Sequence, residues 1–89
     1  MVKIHHRIHE RQPEVCDSDV VCAWENQYRM AIRTTDAGLR FVAVGMDQKG
    51  RELEMVAIRT AEGDWPVFHA MTPPSRRTRS ELGMIGEER

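Results

Sequence analysis

The chain has few cysteines and no long apolar run, and each shortage argues against a class of protein. Its 89 residues include two cysteines, Cys16 and Cys22. Because these thiols are six residues apart with no third cysteine, they fit neither a zinc knuckle nor a thioredoxin motif, and we expect them to be reduced. No stretch approaches the roughly 18 apolar residues of a membrane span. The polar start, MVKIHHRIHERQPEV, has no signal-peptide core. We therefore expect a cytoplasmic protein with no membrane partner.

Positive charge in excess is also lacking. The formal net charge is −1, whereas proteins that bind nucleic acids are usually basic. The charge is unevenly distributed, since RTTDAGLR and SRRTRS are locally basic and PEVCDSD and GEER are locally acidic. A nearly neutral protein can therefore still present a basic face.

Several motifs of common enzymes are absent. The sequence contains no Gly-rich phosphate loop, no serine nucleophile motif and no paired-carboxylate signature. This argues against nucleotide-dependent chemistry and against the common hydrolase mechanisms. We expect no cofactor and no metal in the active chemistry.

The first part of the chain has helical spacing. Apolar residues are 40% and charged residues 30% of the composition, which predicts one folded domain over 1–89. IHHRIHER (4–11) predicts a short helix, because Ile4 and Ile8 are four residues apart. DSDVVCAWENQ (17–27) predicts a second helix, with Asp17 or Ser18 as its cap.

The pattern then changes to strands. Four strand-like segments follow, separated by the turn sequences TTDAG, DQKG and EGD: 28–33, 39–46, 51–61 and 65–71. After TPP, residues 75–83 predict either a short helix capped by Ser75 or a tail. The fold predicted is α+β: two N-terminal helices packed on one face of a four-stranded antiparallel sheet, with the other face open.

His69 lies in the last strand, and the pairing of that strand decides which way it points. A two-residue turn at Glu62-Gly63 places Val56 opposite His69 and Glu54 opposite Met71. His69 then lies on the face away from the helices, because the small apolar residues that suit helix packing all fall on the other face. A slip of one residue would reverse this assignment. That face is predicted to hold His69 with Glu54, Val56, Trp65 and Val67, and the helix-facing set is predicted to be Leu53, Met55, Ala57, Phe68 and Ala70.

In this register Glu54 is diagonal to His69, within contact range. A carboxylate beside a histidine can orient the ring, and imidazole, with an unperturbed pKa near 6.5, suits general acid or base catalysis. His69 is therefore a candidate catalytic residue with Glu54 as its orienting partner. The alternative is a histidine on a half-buried strand that hydrogen-bonds a neighbour.

Basic side chains could hold phosphates on the same face. Arg29 and Arg33 alternate with apolar residues in their strand, and Arg76, Arg77 and Arg79 lie in the C-terminal segment. Guanidinium groups bind phosphate through charged, bidentate contacts, so these five are candidate RNA-binding residues. The alternative is a solvated surface. HHRIH raises a further possibility, because histidines four residues apart, here His5 and His9, can ligate one metal on a helix.

The segment FVAVGMDQKGRELEMVAIRTAEGDWPVFHAM (41–71) resembles the central and last strands of BrnT-like toxins, which are small ribonucleases of the RelE superfamily. The shared features are a strand that ends in an apolar-Gly step, then a turn and GR-x-L-x-x-V, then a last strand with a polar-Ala-basic triplet. HERQPEVCDSDVVCAWEN is similar to the family's short helix, loop and second helix. The resemblance covers about residues 4–82, and it implies an ordered core over that range.

The resemblance implies two helices on a four-stranded antiparallel sheet. It also implies metal-independent cleavage of RNA, expected to be mRNA, which halts translation. The 2′-hydroxyl attacks the adjacent phosphate, and the toxin is inhibited by a small antitoxin, with a homodimer as one arrangement inside the complex. Arg51 matches the arginine of GR-x-L, which implies a catalytic role. His69 stands where the family has a serine, and Met71 stands where it has an arginine.

Other interpretations stay open. Arg51 could instead pair with Asp47 or a helix carboxylate. The chain could be a non-catalytic binding module of the same fold, which meets a protein partner through Trp65, Val67 and Met71. It could also be a small metal-binding regulatory protein built around HHRIH.

Overall fold

The computed structural model describes residues 1–84, and along the chain a strand is followed by two helices, four strands and a third helix. The elements are β1 Val2–Ile4, α1 Arg7–Arg11, α2 Asp17–Glu25, β2 Gln27–Thr35, β3 Gly38–Met46, β4 Glu52–Ala57, β5 Trp65–Met71 and α3 Arg76–Glu81. The predicted α+β class is confirmed. No helix within residues 1–84 is long and apolar enough to cross a membrane.

The sheet has five strands in the order β1-β5-β4-β3-β2. Strands β2 to β5 pair antiparallel as predicted, but β1 joins the edge parallel to β5, with Val2 opposite Trp65 and Ile4 opposite Val67. The prediction of a four-stranded, purely antiparallel sheet is therefore wrong. Residues 2–4 form a strand because Val2 and Ile4, two residues apart, both pack against the core. Helix α1 consequently begins only at Arg7.

One face of the sheet, here called the helix face, packs against α1 and α2. Its buried residues form the main core: Ile8, Val15, Val20, Ala23, Ala43, Leu53, Met55, Ala57, Val67 and Ala70. Gly45 lies on this face where α2 ends. A Cβ there would collide with the carbonyl oxygen of Ala23 and lie 2.9 Å from the Cα of Gln27. The strand and the helix can approach this closely only because residue 45 has no side chain.

The opposite face, here called the groove face, carries Arg33, Arg40, Val42, Val44, Glu54, Val56 and His69. Val42 and Val44 are fully buried there, because the chain returns over this face after β5. Of the two alternatives predicted for residues 75–83, the structure has the helix, α3, and its cap Ser75 accepts a hydrogen bond from the backbone N–H of Thr78. The expectation of an open face with all helices on the other side is therefore wrong.

Strand β4 ends at Ala57 rather than at residue 61. The chain then makes a turn in which Gly63 N–H donates to the carbonyl of Thr60, and Asp64 N–H donates to the Thr60 hydroxyl. Gly63 has φ +87°, a conformation that glycine adopts without strain. The hairpin loop is thus longer than the two-residue turn predicted.

A β-bulge at Phe68 offsets this difference. Val56 is opposite His69, as predicted, but Ala57 is opposite Val67, so Phe68 is an extra residue in β5. The predicted pairs of Glu54 and Val56 are confirmed. The residues of β5 that precede the bulge point to the opposite face of the sheet from the one predicted.

The exchange corrects three assignments. Val67 and Trp65 lie on the helix face, where Trp65 contacts the rings of Trp24 and Phe41. Phe68, predicted to be core, lies on the groove face and is 39% exposed. A bulge brings two successive side chains to one face, which the simple alternation used for the prediction does not allow.

Candidate functional site

A buried carboxylate and a half-buried imidazole form the centre of the site. Glu54 projects from β4, and His69 projects from β5 diagonally across from it. The Nε2 atom of His69 lies 2.7 Å from Oε2 of Glu54, and the two side chains are 35% and 6% exposed. The structure thus brings together two of the three predicted catalytic residues.

The second oxygen of Glu54 is held by the start of α3. Both the backbone N–H and the hydroxyl of Ser75 donate to Oε1 at 2.8 Å. Burial by itself would raise the pKa of Glu54, but hydrogen bonds from His69, Ser75 and Thr78 outweigh it and lower the pKa to about 2. Glu54 is therefore ionised at neutral pH.

The ionised carboxylate determines the tautomer of His69. A carboxylate without a proton can only accept hydrogen bonds, so Nε2 of His69 must be the donor. In the neutral ring the lone pair is then on Nδ1. No group in residues 1–84 is hydrogen-bonded to Nδ1, so this atom can take a proton from a substrate or return one.

His69 and Glu54 line a groove of about 410 Å³ on the groove face. Three arginines surround it: Arg33 from β2, Arg40 from β3 and Arg77 from α3. The Arg40 guanidinium lies 5.5 Å from the ring centre of Phe68, a cation–π distance. Three guanidinium groups that line the same groove as an imidazole make it suitable for an anionic substrate.

The three arginines differ in how far their charge is neutralised. Arg33 donates through both Nε and Nη2 to the carboxylate of Glu81, with Nε at 2.8 Å from Oε2. The hydrogen bonds from Arg33 lower the pKa of Glu81. Arg77 is 3.7 Å from the same carboxylate, whereas Arg40 has no ion pair with any residue of 1–84. Arg40 is thus the groove arginine with most charge to offer a ligand.

The other predicted RNA-binding arginines do not line the groove. Arg29 donates to the carbonyl of Leu82 at 3.0 Å and so helps to hold the end of α3. Arg76 is exposed on α3, and Arg79 is half-buried there. The structure thus brings Arg33 and Arg77 to the site, and it does not bring Arg29, Arg76 or Arg79 there.

Arg51 lies away from His69, at the β3–β4 turn. Its Nε donates to Asp47 at 2.8 Å and its Nη2 donates to Asp19 of α2 at 3.2 Å. The alternative interpretation, in which Arg51 pairs with Asp47 or a helix carboxylate, is confirmed. Lys49 also contacts Asp19, at 3.1 Å.

Both carboxylates in this network are buried. Burial by itself would raise the pKa of both. Hydrogen bonds from the backbone N–H of Cys16 and from the side chains of Lys49 and Gln48 lower the pKa of Asp19. Hydrogen bonds from the backbone and side chain of Arg51 and from the backbone N–H of Lys49 lower the pKa of Asp47. The network joins α2 to the β3–β4 turn. We assign Arg51 to this structural link rather than to the site.

A second cavity, of about 380 Å³, lies between α1 and the end of β5. Its polar lining residues are His5, Arg7, Arg11, Gln12 and His69, and its apolar ones are Ile8, Phe68, Ala70 and Met71. Phe68 and His69 line both cavities. His69 is therefore accessible from two sides.

The metal hypothesis depended on His5 and His9 sharing a helix. His5 precedes α1, and its ring stacks on His6 with the ring centres 4.4 Å apart. His9 faces elsewhere, with Nδ1 3.0 Å from the carbonyl of Val15 and Nε2 2.5 Å from Asp17. Within the described part of the chain, no three His, Cys, Asp or Glu side chains are grouped as a metal site would require.

Three residues at the site were missed in the sequence. Ser75 was predicted only as a helix cap, and nothing in the sequence connects it to Glu54. Arg40 could have been found, because a tight turn at Asp36-Ala37 pairs it with Arg33. The position of Phe68 at the site could not be predicted, because Val67 and Phe68 are both apolar and either could pack in the core.

No family model, curated protein or solved structure matches the chain. What the site does is therefore inferred from the residues around His69.

Proposed function

We propose that the chain is a metal-independent endoribonuclease in which His69 exchanges protons with RNA bound in the groove. One observation supports this most directly. The ionised, buried Glu54 accepts a 2.7 Å hydrogen bond from His69 inside a groove lined by three arginines. An oriented imidazole beside cationic donors is what phosphodiester cleavage by a neighbouring hydroxyl requires.

The proposed reaction needs no co-reactant. The 2′-oxygen of a ribose attacks the adjacent phosphorus, and Nδ1 of His69 accepts the 2′-hydroxyl proton. The new P–O2′ bond forms as the P–O5′ bond breaks, and the departing 5′-oxygen receives a proton from the imidazolium or from water. The products are a 2′,3′-cyclic phosphate and a free 5′-hydroxyl.

The remaining groups have distinct tasks. Glu54 fixes the ring and stabilises the imidazolium that forms, because it stays ionised. Arg40 and Arg77 would contact the phosphate as negative charge builds up on it. Arg33, already bound to Glu81, positions α3 more than it contacts substrate.

RNA cleavage in a chelating buffer tests the proposal. We expect His69→Gln to lower the cleavage rate by about 10²- to 10⁴-fold, the usual contribution of general acid–base catalysis. Glu54→Gln should lower kcat more than it raises KM, because it disturbs the ring rather than the RNA contacts. His9→Gln is the matched control, since His9 lies outside the groove.

Folding must be verified for each variant by circular dichroism and thermal unfolding. A folded His69→Gln protein that cleaves RNA at the rate of the wild-type protein would exclude His69 from the mechanism. Wild-type protein that leaves diverse RNAs intact would contradict the proposal altogether.

We further propose that the activity belongs to the toxin of a bacterial type II toxin–antitoxin pair. The support is the resemblance of residues 41–71, and an uncontrolled ribonuclease would require an inhibitor such as an antitoxin. Controlled expression should arrest growth and translation, and His69→Gln should relieve the arrest. Co-expression of a short neighbouring gene should neutralise the wild-type protein.

A second candidate function is non-catalytic protein binding. The predicted contact residues Trp65 and Val67 are not available, because both pack on the helix face. That face is uncovered at its β2–β3 end, where Met30, Ile32 and Leu39 are 41%, 61% and 53% exposed. β2 is also an edge strand, to which a partner strand can be added.

The same two variants distinguish the candidates. A binding module would capture its partner equally well with His69→Gln and would lose it with Ile32→Lys. An enzyme would lose RNA cleavage with His69→Gln and would keep it with Ile32→Lys.

A further inference from the structure

We propose that the cavity between α1 and β5 is a nucleotide-binding subsite, in which Arg7 and Arg11 hold a phosphate and the apolar wall contacts a base. The proposal deepens the proposed function and rests on it. The phosphate that reacts would lie in the groove, and the nucleotide next to the cleaved phosphodiester would lie in this cavity.

The cavity exists because β1 is short. β1 pairs with β5 only as far as Val67, where His5 N–H donates to its carbonyl at 2.9 Å. The chain then leaves the sheet and forms α1. Residues 68–71 of β5 consequently have no strand on this side, and α1 and Gln12 enclose the space beside them.

The charge of the cavity favours an anion. Arg7 and Arg11 both line it and are exposed, and neither forms an ion pair with any residue of 1–84. Among the described residues that line it there is no carboxylate. This differs from the groove, where Glu81 neutralises much of the charge of Arg33.

His5 adds an imidazole donor. Its Nδ1 accepts a hydrogen bond from the backbone N–H of Arg7 at 3.1 Å. In the neutral ring the proton is therefore on Nε2, which can donate to a phosphate oxygen. Two guanidinium groups and one imidazole thus line the cavity as possible donors.

The apolar lining suits a flat, partly apolar group. Ile8 is 2% exposed and Ala70 is 3% exposed, so both are firm surfaces, and Phe68 and Met71 complete the apolar lining. An aromatic ring stacks on bases of any sequence, and a methionine adapts to their shape. The volume of about 380 Å³ is within the usual range for small-molecule pockets.

The position of His69 connects the two cavities. His69 and Phe68 line both, so a chain that passes His69 can place its phosphate in the groove and the next nucleotide beside α1. A ligand with a single charge and no ring would use only half of this cavity. The chemistry therefore indicates a nucleoside phosphate rather than a simple anion.

Titration of the full chain with adenosine and uridine monophosphates, followed by ¹H–¹⁵N NMR, tests the inference directly. We expect saturable shifts in α1 and at the end of β5, and weaker binding of inorganic phosphate and of adenosine. The double variant Arg7→Gln/Arg11→Gln should weaken nucleotide binding at least tenfold. Arg59→Gln is the matched control, because Arg59 lies over Trp65 and lines neither cavity.

Each negative result has a defined meaning. The absence of saturable shifts at millimolar nucleotide, or equal binding by the folded double variant, overturns the subsite. RNA cleavage measured on the same proteins separates this from the proposed function. Wild-type protein that cleaves RNA without binding mononucleotides here refutes the subsite alone. Binding that depends on Arg7 and Arg11 in a protein that never cleaves RNA supports the subsite and refutes the ribonuclease.

Discussion

Glu54 shows how one buried charge can hold both a reacting ring and a helix. Its two oxygens accept from groups on opposite sides: His69 donates to one oxygen, and Ser75 donates twice to the other. A buried carboxylate is costly unless its acceptor sites are satisfied. The same bonds that offset this cost fix the tautomer of His69 and the start of α3.

This arrangement predicts a pH dependence of stability. The pKa of Glu54 is lowered from 4.5 to about 2 in the folded protein. Because the folded-state pKa is the lower one, its stabilisation is complete above about pH 5 and is lost as the pH falls towards 2. The difference corresponds to about 3 kcal/mol.

The comparison of wild type with Glu54→Gln isolates this contribution. Urea unfolding at several pH values should show a difference in unfolding free energy that narrows by about 3 kcal/mol between pH values of about 6 and 2. Glu62→Gln, in the exposed β4–β5 loop, is the control. A difference in unfolding free energy that is independent of pH would show that the ionisation of Glu54 does not contribute to stability.

Gly45 sets the distance between α2 and β3, and its replacement should be costly. Gly45→Ala places a methyl group against backbone atoms of Ala23 and Gln27, which cannot move aside as a flexible side chain would. We expect a loss of unfolding free energy of about 3 kcal/mol, at the upper end of the overpacking range.

The control for Gly45 is Gly38→Ala. Gly38 has φ +113°, but no atom lies within 4 Å of the position that an alanine methyl group would take, so this change costs only backbone strain of about 1–2 kcal/mol. Denaturant midpoints should therefore rank Gly45→Ala as the less stable variant. The reverse order would contradict the close approach of α2.

The joint between α1 and α2 depends on His9. Its hydrogen bonds to Asp17 and to the carbonyl of Val15 raise the pKa of His9. A raised folded-state pKa means that the stabilisation is complete below about pH 6.5 and is lost as the pH rises through the folded value. The difference in Tm between wild type and His9→Gln should therefore shrink on going from acid to alkaline pH. A difference that grows with pH would contradict the prediction.

The elements differ in how well the sequence could predict them. β5 has the predicted bounds. The pairs Glu54–Met71 and Val56–His69 were correct because the extra residue Phe68 offsets the longer loop, so that the register beyond the bulge equals the predicted one. β1 could not be predicted alone, since a three-residue strand has too few side chains for a pattern and forms only against β5. Ile4 and Ile8 also have a spacing that a helix would explain.

The site was predictable where it depended on one hairpin and not where it depended on distant segments. Glu54 beside His69 follows from pairing within 51–71. Ser75 beside Glu54 follows only from the path of the chain after the prolines, and the cavity beside α1 follows only from where β1 stops. Arg51 matched a motif, but its carboxylate partners Asp47 and Asp19 decide where it points.

The position of the charged side chains matters more for RNA binding than the net charge of the protein. The formal net charge is −1, yet arginines line both cavities, and Glu54 is the one carboxylate among the residues of 1–84 that line them. RNA binding should therefore be local and dependent on salt. With three phosphate contacts, log K should fall with log[salt] at a slope of about −2, since each contact with a single strand contributes about −0.7.

Arg40→Gln tests this placement. Fluorescence anisotropy with a labelled RNA and the non-cleaving His69→Gln protein should show weaker binding and a slope reduced by about 0.7. Arg59→Gln should leave the slope unchanged, because Arg59 lies over Trp65. Equal slopes for both variants would place the RNA elsewhere.

Phe68 has no partner on β4 between the pairs Val56–His69 and Ala57–Val67. If it were deleted rather than replaced, Val67 would join His69 directly, and each pair of β4 and β5 would keep its present partner. The two cavities would then lose part of their shared wall and merge around the imidazole. The presence of one codon therefore decides whether the site has two cavities or one. Gain or loss of that codon can change the shape of the site while the pairing of β4 and β5 stays the same.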